Sequence, residues 1–181
     1  QALQESPELK QLTKNVVMDM TPEGLRIQIV DQEGAAMFSS GSSEMYEKTQ
    51  KLLTTVAGAI KDLPNQVSIR GHTDGVPYRG ENGYTNWELS ADRANASRMA
   101  LMSGGLAGAR VANVVGKADT DHFIKDNAKD PRNRRISIIL LHDKQTKDTG
   151  ANTSSGKSAA ADVGGQAVDE DPGYKPTPGN V

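Results

Sequence analysis

The chain has 181 residues, 24% of them charged, and a formal net charge of -2, which fits one ordinary domain plus extensions. A near-neutral balance without a basic stripe argues against nucleic acid as a partner, and the absence of cysteine excludes a disulfide framework or a thiolate metal site. No apolar run approaches the roughly 18 residues that cross a bilayer and no signal-peptide pattern stands at the start, so a chain opening at Gln1 is expected to be a soluble fragment of something longer.

In chain order, Ser6-Pro7-Glu8 is a helix-start signal with proline at the first helical position. It predicts a short linker helix within residues 1–14, with Leu9 and Leu12 as its large apolar residues. Val16 to Met20, then Thr21-Pro22-Glu23-Gly24, then Leu25 to Val30 reads as a hairpin, its second arm alternating at period two. Met45, Leu52, Leu53, Val56, Ile60 and Leu63 recur at helical spacing, so an amphipathic helix is expected over 44–63, stopped by Pro64-Asn65. A strand over 67–71 leads into a loop over 72–84. A helix over 85–102 follows, opened by a Thr85-x-x-Glu88 capping box and closed by Gly104-Gly105. Strands are expected over 110–116 and 135–141, separated by a long polar loop. From His142 onward Gly, Ser, Thr, Ala, Asp and Lys dominate, a composition expected to leave a disordered tail over 142–181. Helices interleaved with strands give an α/β sandwich, a mixed sheet with helices packed on one face.

One residue departs from this pattern. On the helix over 85–102, Glu88, Asp92 and Asn95 share a polar face, yet Arg93 falls about 140° from Glu88 at roughly 100° per residue. It points towards Leu89, Ala96 and Ala100, where a charge needs an anion, because an unpaired buried charge costs several kcal/mol. Asp74 at the end of the preceding strand is one partner for it, and a ligand carboxylate is another. Asn86 lies about 20° from Arg93 on the same wheel and faces the same place.

The ordered set Gly71-His72-Thr73-Asp74, then Asn86-x-x-Leu89-Ser90-x-x-Arg93-Ala94, then Asn133-Arg134-Arg135-Ile136 resembles the OmpA-like peptidoglycan-binding domain over residues 15–141. The long interval from Asp74 to Asn86, with Pro77 in it, and the following Asn86-Trp87-Glu88-Leu89-Ser90 are most similar to the flagellar-motor stator branch of that family. The resemblance implies an OmpA-like two-layer sandwich and a non-catalytic wall anchor that binds the meso-diaminopimelate residue of the peptidoglycan stem peptide. It assigns Asp74 to the ligand's ammonium and Arg93 to its carboxylate, as a planar guanidinium fork suits a carboxylate. The bland reading is a ligand-free salt bridge between the two. Asn86 and Thr73 would add contacts, one of Arg134 and Arg135 would line the pocket while the other pairs structurally, and Leu89 and Trp87 would pack. Phe38 and Ser39 match the segment whose main chain accompanies the stem peptide. The same resemblance implies a periplasmic domain of a single-pass inner-membrane protein, a homodimer, and a multi-spanning, MotA-like stator channel subunit as partner.

A lipoprotein or porin wall tether is the nearest rival. A peptidoglycan hydrolase would need two carboxylates flanking a bond, and Glu88, the nominee beside Asp74, is taken by the helix cap. With no phosphate loop, dinucleotide fingerprint or zinc spacing among His72, His122 and His142, neither cofactor, metal nor enzymatic activity is expected.

Overall fold

The computed structural model describes residues 13–142. The expected tail beyond 142, and the expected linker helix except its last two residues, lie outside the described residues. Within them, β1 (Val16–Thr21) and β2 (Gly24–Val30) form the hairpin, followed by α1 (Glu47–Ile60), β3 (Val67–His72), α2 (Asn86–Ser103), β4 (Val111–Gly116) and β5 (Arg135–Leu141). The strands make one mixed sheet in the order β1-β2-β5-β3-β4. β3 and β4 run parallel, joined through α2, and the other pairs are antiparallel. The last strand thus inserts between the hairpin and the βαβ unit, pairing Ile27 with Ile138 on one side and Ile138 with Ile69 on the other.

Alternation along the strands sends Ile27, Ile29, Val67, Ile69, Ile136 and Ile138 to the helix side, where they meet Leu52, Leu53, Val56 and Ile60 of α1. The expected two-layer α/β arrangement is therefore observed. Helix α1 is shorter than its apolar periodicity suggests. Met45 still bridges Phe38 in an isolated antiparallel pair and the Tyr46 amide donates to the Met37 carbonyl at 3.0 Å, so the chain is extended until residue 46. Among the described residues no helix is long and apolar enough to cross a membrane.

Helix α2 packs through small residues. Ser90, Ala94, Ser97 and Ala100 are buried, and the sheet beneath is small as well. A Cβ on Gly71 would lie 2.0 Å from the Ser90 carbonyl oxygen, and one on Gly116 would lie 2.8 Å from the Ala91 amide nitrogen. Gly71 and Gly116 are paired across β3 and β4, so this glycine pair lets the backbone of α2 rest almost directly on the strands. The capping box forms as the sequence predicts. The Thr85 hydroxyl accepts from the Trp87 amide at 3.3 Å, and the Glu88 carboxylate accepts from the Thr85 amide at 2.7 Å. Cap and glycine contact together fix where the first two turns of α2 stand over the ends of the strands.

Candidate functional site

Four charged side chains meet at that end of the sheet. Asp74 follows β3, Asp31 follows β2, Arg134 precedes β5, and Arg93 hangs from α2. The antiparallel register of β2 and β5 brings Asp31 and Arg134 together, and the Asp31 amide donates to the Arg134 carbonyl at 2.9 Å. The Arg134 guanidinium then bridges both acids, donating from Nε to Asp31 Oδ2 at 2.8 Å and from Nη1 to Asp74 Oδ2 at 2.7 Å. Each acid also takes one main-chain amide on its other oxygen, Met37 for Asp31 at 2.8 Å and Val76 for Asp74 at 3.0 Å. Burial, the largest influence, pushes the Asp31 carboxyl above its usual range, with Arg134 and the Met37 amide pulling the other way. Arg134 is pushed down by burial but held higher overall by the two carboxylates it grips.

Arg93 does face inward, and is only 7% exposed. The ligand-free salt bridge to Asp74 is not formed, however. Arg93 donates from Nε to the Ser42 carbonyl at 2.8 Å and from Nη2 to the Ser39 carbonyl at 3.3 Å, and its guanidinium lies 5.1 Å from the centre of the Phe38 ring. It therefore holds the 38–42 loop against α2 while meeting no carboxylate. Burial lowers its pKa, and the nearby Asp31 offsets part of that. Of the five donors of a guanidinium, these two bonds leave three.

Around these charges lies a cleft of about 370 Å³ whose walls include Phe38, Tyr46, Thr73, Tyr78, Asn86 and Leu89 as well as the four charged residues. Thr73 is buried, its hydroxyl donating to the Asp74 carbonyl at 3.0 Å and its amide to the Ala118 carbonyl at 2.8 Å. The Asn86 amide nitrogen donates to the Val76 carbonyl at 3.0 Å, tying the loop after Asp74 to α2. Five of the six expected site residues thus line one cleft. Arg135 does not. One step along the strand from Arg134, it turns to the other face of the sheet, donating to Gln28 Oε1 at 2.9 Å and reaching Asp121 at 3.3 Å. Burial lowers its pKa to about 10 despite Asp121, so its role is structural.

Trp87 is a second correction. It is 55% exposed and does not pack in the core, because the first turn of α2 turns only Asn86 and Leu89 inward. Asp31 went unread in the sequence; its signal is an acid ending the apolar run Ile27 to Val30. Asn133, fully buried, organises the long 117–132 loop. Its amide nitrogen donates to the Asn127 and Ala128 carbonyls at 2.8 and 3.1 Å, and its oxygen accepts from the Ile124 amide at 2.7 Å. The Ala128 carbonyl in turn receives the Gly75 amide at 2.7 Å, bracing the residue next to Asp74.

The OmpA family model matches residues 37–136, which carry three of the four charges and the whole of α2. The chain belongs to the OmpA family. It is similar to Motility protein B of Escherichia coli strain K12, with 44% identity over 143 residues, covering 78% of this chain and 46% of the relative. A putative truncated flagellar export/assembly protein LafU of the same strain is 36% identical over 135 residues, 75% of this chain and 63% of that protein. The chain thus spans about half the length of the first of these family members. Among solved structures, the periplasmic domain of Helicobacter pylori MotB shares the fold at a TM-score of 0.60 and 19% identity, covering 70% of this chain and 88% of that one. The cell wall anchor of the T6SS from Pseudomonas aeruginosa superimposes at a TM-score of 0.60 with 25% identity, covering 72% and 90%.

Proposed function

We propose that residues 15–141 are the wall-binding unit of a flagellar-motor stator subunit, holding the stationary part of the motor to peptidoglycan without catalysing any reaction. The cleft would receive the diaminopimelate residue of the stem peptide, whose side chain ends in an ammonium and a carboxylate on one carbon. The observation that carries this reading is the charge balance of the cleft. Two carboxylates, Asp31 and Asp74, face two guanidiniums, Arg93 and Arg134, so the site is neutral overall but strongly polar, the complement of a zwitterion. Each carboxylate oxygen has two lone pairs, and one amide and one Arg134 N–H per acid leave room for an ammonium. Arg93, which meets no carboxylate within the chain, supplies the fork for the ligand's carboxylate. Thr73 and Asn86 would contact the adjoining peptide.

A wall offers many equivalent attachment points, and weak sites acting together hold against torque. That logic favours a homodimer, working with a MotA-like, multi-spanning channel subunit and standing in the periplasm. The identity to Motility protein B supports the stator reading over a lipoprotein or porin tether.

The test compares two synthetic stem tripeptides, one with meso-diaminopimelate and one with lysine at the third position. Lysine keeps the ammonium and lacks the carboxylate, so the diaminopimelate peptide is expected to bind at least about tenfold more tightly, one charge-assisted bidentate pair. Equal binding of both would overturn the assignment, and turnover of muropeptides would overturn the non-catalytic reading.

A further inference from the structure

The loop between Asp74 and α2 builds a second feature. A groove of about 560 Å³ runs between residues 77–80 and 83–87, with Asp119 at its rim, and it shares Pro77, Tyr78 and Asn86 with the charged cleft. Three aromatic rings stand along it. Tyr78 packs against Gly41, where a Cβ would meet its ring at 2.6 Å. It meets Tyr84 edge to face, with centroids 5.9 Å apart and planes at 82°. Tyr84 is fixed in turn by its hydroxyl, which donates to Asp92 at 2.6 Å. Trp87 projects from the first turn of α2 into solvent. Arg79 and Asp119 add polar groups to the same walls.

We propose that this groove receives the amino-sugar disaccharide of the glycan strand to which the stem peptide is joined. The inference rests on the stem-peptide reading of the cleft. Diaminopimelate is the third residue of the stem, so an extended peptide carries the sugar about 10 Å from it, at the rim of the cleft and not in a separate place. The chemistry fits what stands there. A pyranose ring presents a face of C–H bonds, slightly positive, to the negative face of an aromatic ring, and its hydroxyl and N-acetyl groups need donors and acceptors such as Arg79 and Asp119. Rings already held by Gly41 and Asp92 lose little freedom on binding.

The experiment uses the whole chain and two probes, the free diaminopimelate tripeptide and the same tripeptide bearing its disaccharide. Trp87 is the chain's sole tryptophan, so intrinsic fluorescence reports the groove directly. The wild type is expected to bind the glycosylated probe about three- to ten-fold more tightly, the worth of a ring stacked on an aromatic face, with a change in tryptophan emission that the free tripeptide does not produce. Trp87→Ala, at an exposed position, should leave tripeptide affinity unchanged and abolish the extra affinity. If Trp87→Ala binds both probes as the wild type does, the groove is not the sugar's site, its aromatics face a protein instead, and the stem-peptide reading stands. Equal weakening towards both probes would also overturn the proposal, making Trp87 a prop of the cleft. A wild type that binds neither probe would overturn the stem-peptide reading and this inference with it.

Discussion

Arg134 Nη1 lies 2.7 Å from Asp74 Oδ2, and the same guanidinium grips Asp31 from its Nε at 2.8 Å. One arginine therefore neutralises two acids at the ends of two different strands, and leaves Arg93 without a carboxylate of its own. The arrangement separates two tasks. Arg134 keeps the acids ionised and in place, and Arg93 remains available to an incoming anion.

Removing the bridge exposes that division. Arg134→Ala leaves two buried carboxylates facing each other, and breaking a partly exposed ion pair of this kind should cost about 2–3 kcal/mol at neutral pH. The pH dependence has a definite sign. Asp31 already has a raised pKa, and without Arg134 it rises further, so the native variant holds a proton that the unfolded chain releases above its ordinary value near 3.8. Stability of the variant therefore falls as pH climbs from about 4 to 7, relative to wild type. Urea denaturation of both proteins at pH 4.5 and 7 measures it, and a gap that is the same at both values contradicts the account.

Arg93→Ala should lose co-sedimentation with intact sacculi, and the fold should survive with a stability loss of about 1–3 kcal/mol, since two charge-assisted bonds to the 39–42 loop go with it. Arg93→Lys should recover little of the binding, because a single ammonium cannot span both loop carbonyls and still present a fork. Lysine binding sacculi as well as arginine would mean that charge alone, not planar geometry, is recognised.

What the sequence could and could not disclose follows from the range of each signal. The hairpin, both helices and β5 are local patterns, and each was legible within two or three residues. Arg93 was legible because a helix wheel is also local: a charge on the apolar side of α2 needs no knowledge of the sheet. Asp31 was not, since its partner Arg134 lies 103 residues away, and only the insertion of β5 beside β2 makes them neighbours. The choice between Arg134 and Arg135 failed for a related reason. Successive residues at a strand start face opposite sides, so naming the face requires knowing which side carries the helices. The start of α1 was misplaced because Met45 satisfies helical periodicity while its backbone pairs with Phe38.

The close approach of α2 to the sheet gives a test with its own control. Gly71→Ala would put a methyl 2.0 Å from the Ser90 carbonyl, a backbone atom that cannot swing aside, and overpacking of this sort should cost about 3 kcal/mol or more. Because α2 carries both Arg93 and Asn86, the same change should weaken ligand binding without touching the cleft. Gly58, inside α1 with open space around its Cβ position, should do the opposite. Gly58→Ala should add about 0.5–1 kcal/mol by restricting the unfolded chain. Thermal melts of both variants decide it, and a Gly71→Ala protein as stable as wild type would show that α2 can shift on the strands.

His72 gives the domain an acid weakness. It is buried on the face of the sheet away from the helices, 3.5 Å from the Ser137 hydroxyl, with its Nδ1 unpartnered. Burial above all, then the positive charges of Arg135, Lys117, Arg70 and Arg26, hold its pKa down to about 3. An unfolded histidine titrates near 6.5, so between these values the unfolded chain takes up a proton that the native state refuses. Stability is complete above pH 6.5 and is lost as pH falls towards 3, at up to about 1.4 kcal/mol per pH unit. From pH 7 to pH 5 the wild type should lose about 2 kcal/mol from this residue. His72→Gln carries no titrating group there, so whatever its starting stability, its decline over the same interval should be smaller by that amount. Denaturant midpoints for the two proteins at pH 7, 6 and 5 read the difference directly, and parallel declines would mean that His72 accepts its proton in the folded state.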